Sequence, residues 1–352
     1  MDFMIQSEYH NKTIKDFLYR EVKPSRKLLS LAKSRENGIT VNGVRVTVRH
    51  ILSRGDILGL NYEDCNADDS GKFIAGNYDL LKLVDILYED DYMLAVNKPY
   101  NMPSHPSINH YGDTLANAVM AYFNKTGTKS FPGIFRAVNR LDKNTSGIVL
   151  IAKDKMTSAR LNKMIKHGEI KKTYIALAAG NLEKMTPEEI RGINVKLAEI
   201  NGSFGYDHET KTGKITAPVK REQDSIIKRA CAFDGDYSET DFKAVKSNGD
   251  ITVVEVYPKT GRTHQIRLHF YTIGFPLLGD DLYFSDESKN ISLKYKIIRH
   301  ALHAKSLEFV HPMINMINIK NMINNERVNL ICEVCDDMRH IIKSMNTEKY
   351  GE

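Results

Sequence analysis

The sequence predicts an α+β protein in two folded units, a small helix-and-hairpin unit over residues 1–62 and a larger body over residues 85–345 with a mixed, largely antiparallel sheet. Three observations lead there. The chain has 352 residues, and single hydrophobic cores stop growing at roughly 250–300 residues. Its first sixty residues carry two helical repeats and then paired β-branched runs. After a polar stretch, strand-like and helical segments mix without the regular alternation of a parallel sheet.

From Ile14 to about Arg35 the apolar residues Ile14, Phe17 and Leu18, then Leu28, Leu29, Leu31 and Ala32, recur at helical spacing, with Pro24 and Ser25 between the two sets. Pro24 predicts the end of a first helix, since it has no amide proton to continue the ladder, and the Ser25 hydroxyl predicts the cap of a second. Gly38 closes that helix. Ile39-Thr40-Val41 and Val44-Arg45-Val46 flank Asn42-Gly43, a pair suited to the positive φ angles of a two-residue hairpin turn. A further turn at Arg54-Gly55-Asp56 leads into Ile57-Leu58.

Residues 63–84 read as an acidic linker, rich in Asn, Asp, Ser and Gly at its start. Residues 1–62 hold eleven Lys or Arg against six Asp or Glu, whereas residues 63–96 hold two against nine. With an overall net charge of +6, the rest of the chain carries +8. Two basic units joined by an acidic connector suit a polyanionic partner, although solvated faces of unequal sign would give the same totals. In the body, Ile148–Ala152, Tyr174–Ala179 and Ile251–Val256 predict strands, and Lys155–Ile165 and Thr263–Tyr271 predict helices.

Composition excludes several classes. Hydrophobic residues make up 41% and charged residues 27%, as in an ordinary globular protein, and no apolar run approaches the roughly 20 residues that cross a bilayer. The opening residues lack a basic segment followed by an apolar one and a cleavage site, so a cytoplasmic protein with no membrane role is expected. Cys65, Cys231, Cys332 and Cys335 are too few and scattered for a disulfide framework, and Cys332-x-x-Cys335 has no second ligand pair to complete a zinc site.

The segment Arg140-Leu141-Asp142-Lys143-Asn144-Thr145-Ser146-Gly147 is polar and runs directly into the apolar strand Ile148-Val149-Leu150-Ile151. A carboxylate in a loop anchored on a buried strand has the fixed placement that catalysis needs. Together with Ala152-Lys153, this segment resembles the signature R-L-D-x-x-T-S-G-x-x-x-x-A-K of RluA-type pseudouridine synthases. Further blocks resemble that family in its order: Asn97-Lys98-Pro99 with His105-Pro106, Lys172-Thr173-Tyr174-Ile175-Ala176, Thr260-Gly261-Arg262-Thr263-His264-Gln265-Ile266-Arg267-Leu268-His269, and Gly279-Asp280 with Tyr283 and His300-Ala301-Leu302-His303-Ala304. The likeness spans about residues 85–312. The first sixty residues, with Ser25, Arg26 and Lys27 opening the second helix, resemble the small alpha-L RNA-binding domain, which implies that Arg26 and Lys27 contact phosphates.

The resemblance implies an RNA partner, rRNA in preference to tRNA, and a reaction that breaks the bond from ribose to a uracil nitrogen, turns the base and rejoins it through a ring carbon. Such chemistry involves no redox change and needs no metal or organic cofactor. It assigns the essential carboxylate to Asp142, its paired cation to Arg267, and the residue stacked on uracil to Tyr174. Strand alternation puts Ala176 and Ala178 on the face of Tyr174, where small side chains would leave room for a ligand. Thr263 is expected to cap the helix that follows, with His264 and Arg267 on one face. Arg140 matches the residue that fills the space left by the base, and Arg262, His264 and Gln265 are expected against the RNA backbone. The family usually has His before Arg-Leu-Asp, whereas this chain has Asn139, which cannot titrate near neutrality. A non-catalytic RNA-binding or ribosome-assembly factor is the alternative reading, and a monomer is expected.

Overall fold

The computed structural model describes residues 2–22, 24, 26–61, 74–107, 109–127, 134–225, 227–313 and 327–347. In the first unit, β1 (Asp2–Met4) is followed by α1 (Ile14–Phe17), which continues as a wider π turn over Leu18–Val22, and by α2 (Arg26–Ser34). Thr13 and Asp16 cap α1 reciprocally. Ser25, expected to cap α2, lies outside the described residues, as do Cys65 and the start of the acidic stretch. The hairpin forms as its turn chemistry predicts: β2 (Ile39–Val41) pairs with β3 (Val44–Arg45) across Asn42 and Gly43, whose φ angles are 52° and 82°. With β4 (Ile57–Leu60), these strands form a sheet of order β1-β4-β2-β3. Phe3, Ile14, Leu18, Leu52 and Leu58 fill its interior, and full burial of each such side chain stabilises by about 1.5–3 kcal/mol.

This unit is packed onto the body. Met156 and Met313 complete its core. The Arg160 guanidinium donates to the carbonyls of Glu21 and Val22 at 3.0 and 2.8 Å, and to Pro312 O at 2.8 Å, satisfying carbonyls that the end of the first helix leaves free.

The body's strands are β5 (Asp85–Glu89), β6 (Met93–Lys98), β7 (Ser146–Ala152), β8 (Lys171–Ala179), β9 (Ser203–Asp207), β10 (Thr212–Thr216), β11 (Val219–Arg221), β12 (Arg229–Cys231), β13 (Glu239–Ser247), β14 (Ile251–Pro258), β15 (Leu302–Val310) and β16 (Arg327–Ile331). Ten of them form one sheet of order β5-β6-β7-β15-β8-β14-β13-β10-β9, with β16 beside β15. Among the described residues every pairing in it is antiparallel except β7 with β15, so the sheet is mixed and largely antiparallel as predicted. At that parallel contact Gly147 faces Ala304; its φ is +111°, and a Cβ there would stand 2.3 Å from the Ala304 carbonyl oxygen. Glycine is therefore required where β7 starts.

Helices cover the sheet, several of them started by a local signal. Among them, α3 (Tyr78–Leu81) is capped by Asn77, α4 (Leu115–Thr126) by Thr114 with Asn117, α5 (Lys155–Lys166) by Asp154, and α6 (Pro187–Ala198) by Thr186 with Glu189. They are followed by α7 (Gln265–Thr272), α8 (Asp286–Lys294) and α9 (Asp336–Thr347). Residues 74–84 are packed rather than extended, with Ile74 and Leu80 against the α4 core and the Asn117 amide donating to Ala75 O at 2.8 Å.

Candidate active site

The loop before β7 is tied to the body at nearly every residue. Asn139 donates to Ile148 O at 2.9 Å and accepts from the Leu150 amide at 2.8 Å, so its side chain clamps the loop to β7. That explains how an amide serves where the resemblance leads one to expect an imidazole: one donor and one acceptor on the same terminal group meet two backbone partners of the same strand. Lys98 is fully buried, and its ammonium donates to the carbonyls of Pro99, Met102 and Lys143 at 2.8, 2.8 and 3.1 Å. Burial pushes its amine down to about 7, with the Asp142 charge opposing. Arg299 reaches Asn144 O at 3.0 Å while Asp337 of α9 holds its other side at 2.7 and 3.0 Å. Thr145 Oγ1 meets His300 Nε2 at 2.8 Å.

This scaffold presents Asp142 to Arg267 of α7, whose Nη1 donates to Asp142 Oδ2 at 3.2 Å. Arg267 is only 3% exposed. Asp280 takes its other edge in a bidentate pair, with Nε to Oδ2 at 2.6 Å and Nη2 to Oδ1 at 2.7 Å, leaving Nη1 for Asp142. Burial works against the charge, yet Asp280 and Asp142 hold the guanidinium above its ordinary value. The Leu282 and Tyr283 amides fix Asp280 in turn.

Tyr174 lies on β8 opposite Ala304 of β15 and Val256 of β14, with β15 between it and the start of β7. It lines the same cleft as Asp142 and Arg267. Burial, and then the Asp142 charge, raise its hydroxyl pKa, so the ring is kept neutral. The expected room beside it is already filled, because Ala176 and Ala178 are fully buried beneath Ile266, Phe270 and Ile273. Small side chains there admit α7 to the sheet, not a ligand.

The α7 start also differs from expectation. His264, not Thr263, occupies the cap position, with a left-handed φ of 59° and no side-chain cap bond. Gln265 is buried; its Oε1 accepts from Thr260 Oγ1 and the Arg262 amide, and its Nε2 donates to Glu239 O and Thr240 Oγ1. The amide is thus spent on holding the turn and is not offered to an RNA backbone. His264 turns inward too, with Nε2 at 3.8 Å from Asp142 Oδ2. Arg140 and Arg262 do line the cleft, Arg140 exposed and Arg262 paired with Asp236 at 3.2 Å. In the other unit, Arg26 is exposed on α2, and the Lys27 side chain lies outside what is described.

Several contributors were visible as residues but not as roles. Lys172, half-buried at the cleft wall, has its amine lowered by burial. Asp280 and His300 stood within recognised blocks without an assigned partner, and Arg299 lay just outside one. Among the described residues no group of three or more His, Cys, Asp or Glu is arranged to hold a metal.

The sequence profile described as RNA pseudouridylate synthase matches residues 92–272. The chain belongs to this family. An uncharacterized RNA pseudouridine synthase of Bacillus subtilis (strain 168) is 30% identical over 95% of this chain and 99% of its own length. Ribosomal large subunit pseudouridine synthase C of Buchnera aphidicola subsp. Schizaphis graminum (strain Sg) is 30% identical over 88% of each. Among solved structures, human RNA pseudouridylate synthase domain containing 4 shares the fold, with a TM-score of 0.52 at 19% identity over 76% of this chain and 96% of that one. The chain is an RNA pseudouridine synthase, an isomerase. Asp142, Tyr174 and Arg267 fall within the matched span, while Asp280 and Arg299 lie beyond it.

Proposed function

We propose that this enzyme isomerises uridine in large-subunit ribosomal RNA, in the cytoplasm and as a monomer, with Asp142 as the essential carboxylate, Arg267 as its fixed counter-ion and Tyr174 as the ring that faces the uracil. The observation that carries the reading is the convergence of these three, drawn from a loop, a helix and a strand, on one cleft. Isomerisation breaks N1–C1′, forms C5–C1′, removes the C5 proton and returns a proton to N1, so atoms and electrons balance within the nucleotide. A carboxylate acting on the sugar or ring must keep its orientation through that change, and the buried Asp280–Arg267 pair supplies a rigid abutment. A purely binding protein would have no use for a desolvated guanidinium aimed at an acid.

A stacked uridine is inaccessible, so the base must come from a loop or be flipped out, at a cost of a few kcal/mol. Arg140, Arg262 and Lys172 around the cleft, with Arg26 and Lys27 on the first unit, are placed in this reading against phosphates and the vacated stack. The names of relatives such as the Buchnera enzyme support the ribosomal target. Mapping pseudouridine in RNA from cells with and without the protein tests it: loss confined to one or a few large-subunit positions is expected, and loss confined to tRNA would contradict the target.

A further inference from the structure

His264 combines three features that the reading above does not use. Its backbone sits at φ 59°, ψ 14°, in the left-handed region that is uncommon outside Gly, although His enters it more often than most residues. Its Nδ1 lies 3.1 Å from the hydroxyl of Tyr283, and its Nε2 lies 3.8 Å from Asp142 Oδ2. The same Oδ2 takes the hydrogen bond from Arg267, whereas Oδ1 accepts none from any described residue.

The Tyr283 hydroxyl settles which way the imidazole is protonated. Tyr283 is 1% exposed, and its oxygen already accepts the Arg229 amide proton at 2.7 Å. Its own proton needs an acceptor in that buried place, and His264 Nδ1 is the acceptor within reach. Nδ1 is therefore the unprotonated nitrogen, and Nε2, the nitrogen 3.8 Å from Asp142 Oδ2, carries the hydrogen. Burial lowers the His264 pKa, with Asp142 opposing, which keeps this neutral tautomer in place. Hydrogen bonds run from the Arg229 amide through Tyr283 to His264, whose Nε2–H stands 3.8 Å from the carboxylate without bonding it. Tyr283 also lies against the Arg267 guanidinium, 5.3 Å from its ring centroid, so one phenol supports both groups that face Oδ2.

We propose that His264 is a positioning residue for Asp142: Arg267 holds Oδ2 by a hydrogen bond, and the Nε2–H of His264, 3.8 Å from the same oxygen, limits its movement, so that Oδ1 is the oxygen presented to the nucleotide. This rests on Asp142 being the essential carboxylate. The left-handed backbone serves the role, because it turns the ring inward at the cap position, where no side-chain cap bond forms.

His264→Asn and His264→Gln separate the role of the ring from that of the backbone. Asn tolerates the left-handed conformation but ends short of the Nε2 position, whereas Gln places an N–H donor near it. Single-turnover conversion of an RNA substrate by H264N is expected to fall about a hundredfold with RNA affinity unchanged, the scale of a misplaced reacting group, and H264Q is expected to recover most of that loss. Nitrogen-15 shifts of the folded enzyme should report His264 as the Nε2–H tautomer, and Tyr283→Phe should shift it toward a mixture. H264N turning over at the wild-type rate, or an Nδ1–H tautomer in the wild-type enzyme, would overturn the proposal. D142N run beside them keeps the two levels apart: an active D142N removes the underlying reading, while an inactive D142N with a fully active H264N removes only the role of His264.

Discussion

In the N-terminal unit Ile14, Leu18, Leu52 and Leu58 fill the interior while Arg20, Arg26, Arg45, Arg49 and Arg54 stand in solvent, whereas in the body's cleft the charged groups themselves, Lys98, Arg267, Asp280 and Arg299, are buried. Burying a charge costs several kcal/mol unless hydrogen bonds and an opposite charge replace the water. The first unit avoids that cost and keeps its cations where salt screens them, which suits affinity for a polyanion. The cleft meets it with carboxylates on Arg267 and Arg299 and three carbonyls on Lys98, which suits the fixing of one carboxylate. The two regions should therefore respond differently to substitution, to acid and to salt.

The largest effect is expected at Asp280. Asp280→Ala leaves Arg267 buried without its bidentate partner, with only Asp142 and the exposed Asp281 at 3.2 Å, and should destabilise the body by about 3–5 kcal/mol as well as suppress turnover; denaturant melts check the first and single-turnover assays the second. A variant as stable as the wild type would mean that the buried charges are not a network. Acid should separate the regions next. His303 is fully buried and its pKa is pushed down to about 4 by desolvation. A depressed histidine pKa means that the unfolded chain binds the extra proton first, so its contribution is fully present above about 6.5 and is lost as pH falls toward 4, roughly 3 kcal/mol in all. His10 and His50 of the first unit are exposed. Unfolding free energy measured from pH 7 to 4 should thus fall through the body, and His303→Gln should flatten the slope; an unchanged slope would assign the acid lability elsewhere. The smallest effect belongs to the surface. Arg26→Ala with Lys27→Ala should weaken RNA binding and lower the slope of log affinity against log salt by about 0.7–0.9 per lost phosphate contact, with single-turnover rate at saturation unchanged. A changed rate with an unchanged slope would reverse the division of labour.

Features set by neighbours in sequence were legible. Asn42-Gly43 gave the hairpin because the turn's dihedral angles are a local demand, and the apolar run after Gly147 gave β7 because a strand buried on both faces has no alternation to hide it. α5 and β14 likewise fall within two residues of their predicted bounds. Features set by distant partners were not. Gln265 and Thr263 lose their expected roles, Gln265 because the buried acceptors Glu239 and Thr240, on β13, draw its amide inward, and Thr263 because His264 takes the cap position. Ala176 and Ala178 looked like a ligand's space because periodicity gives a face without saying which element covers it, and α7 does. The parts played by Asp280 and Arg299 depend on partners brought together only by the folded body: Arg267 for the first, and for the second Asp337 on the last helix and Asn144 in the loop.

The division between a fixing cleft and a binding surface converges on one group. Asp142→Asn keeps size and shape but removes the charge that Arg267 faces, so conversion of uridine in a large-subunit ribosomal RNA fragment should fall by at least about a thousandfold, with thermal stability and RNA affinity nearly those of the wild type. Conversion by D142N at the wild-type rate would contradict the assignment of the reaction to this carboxylate.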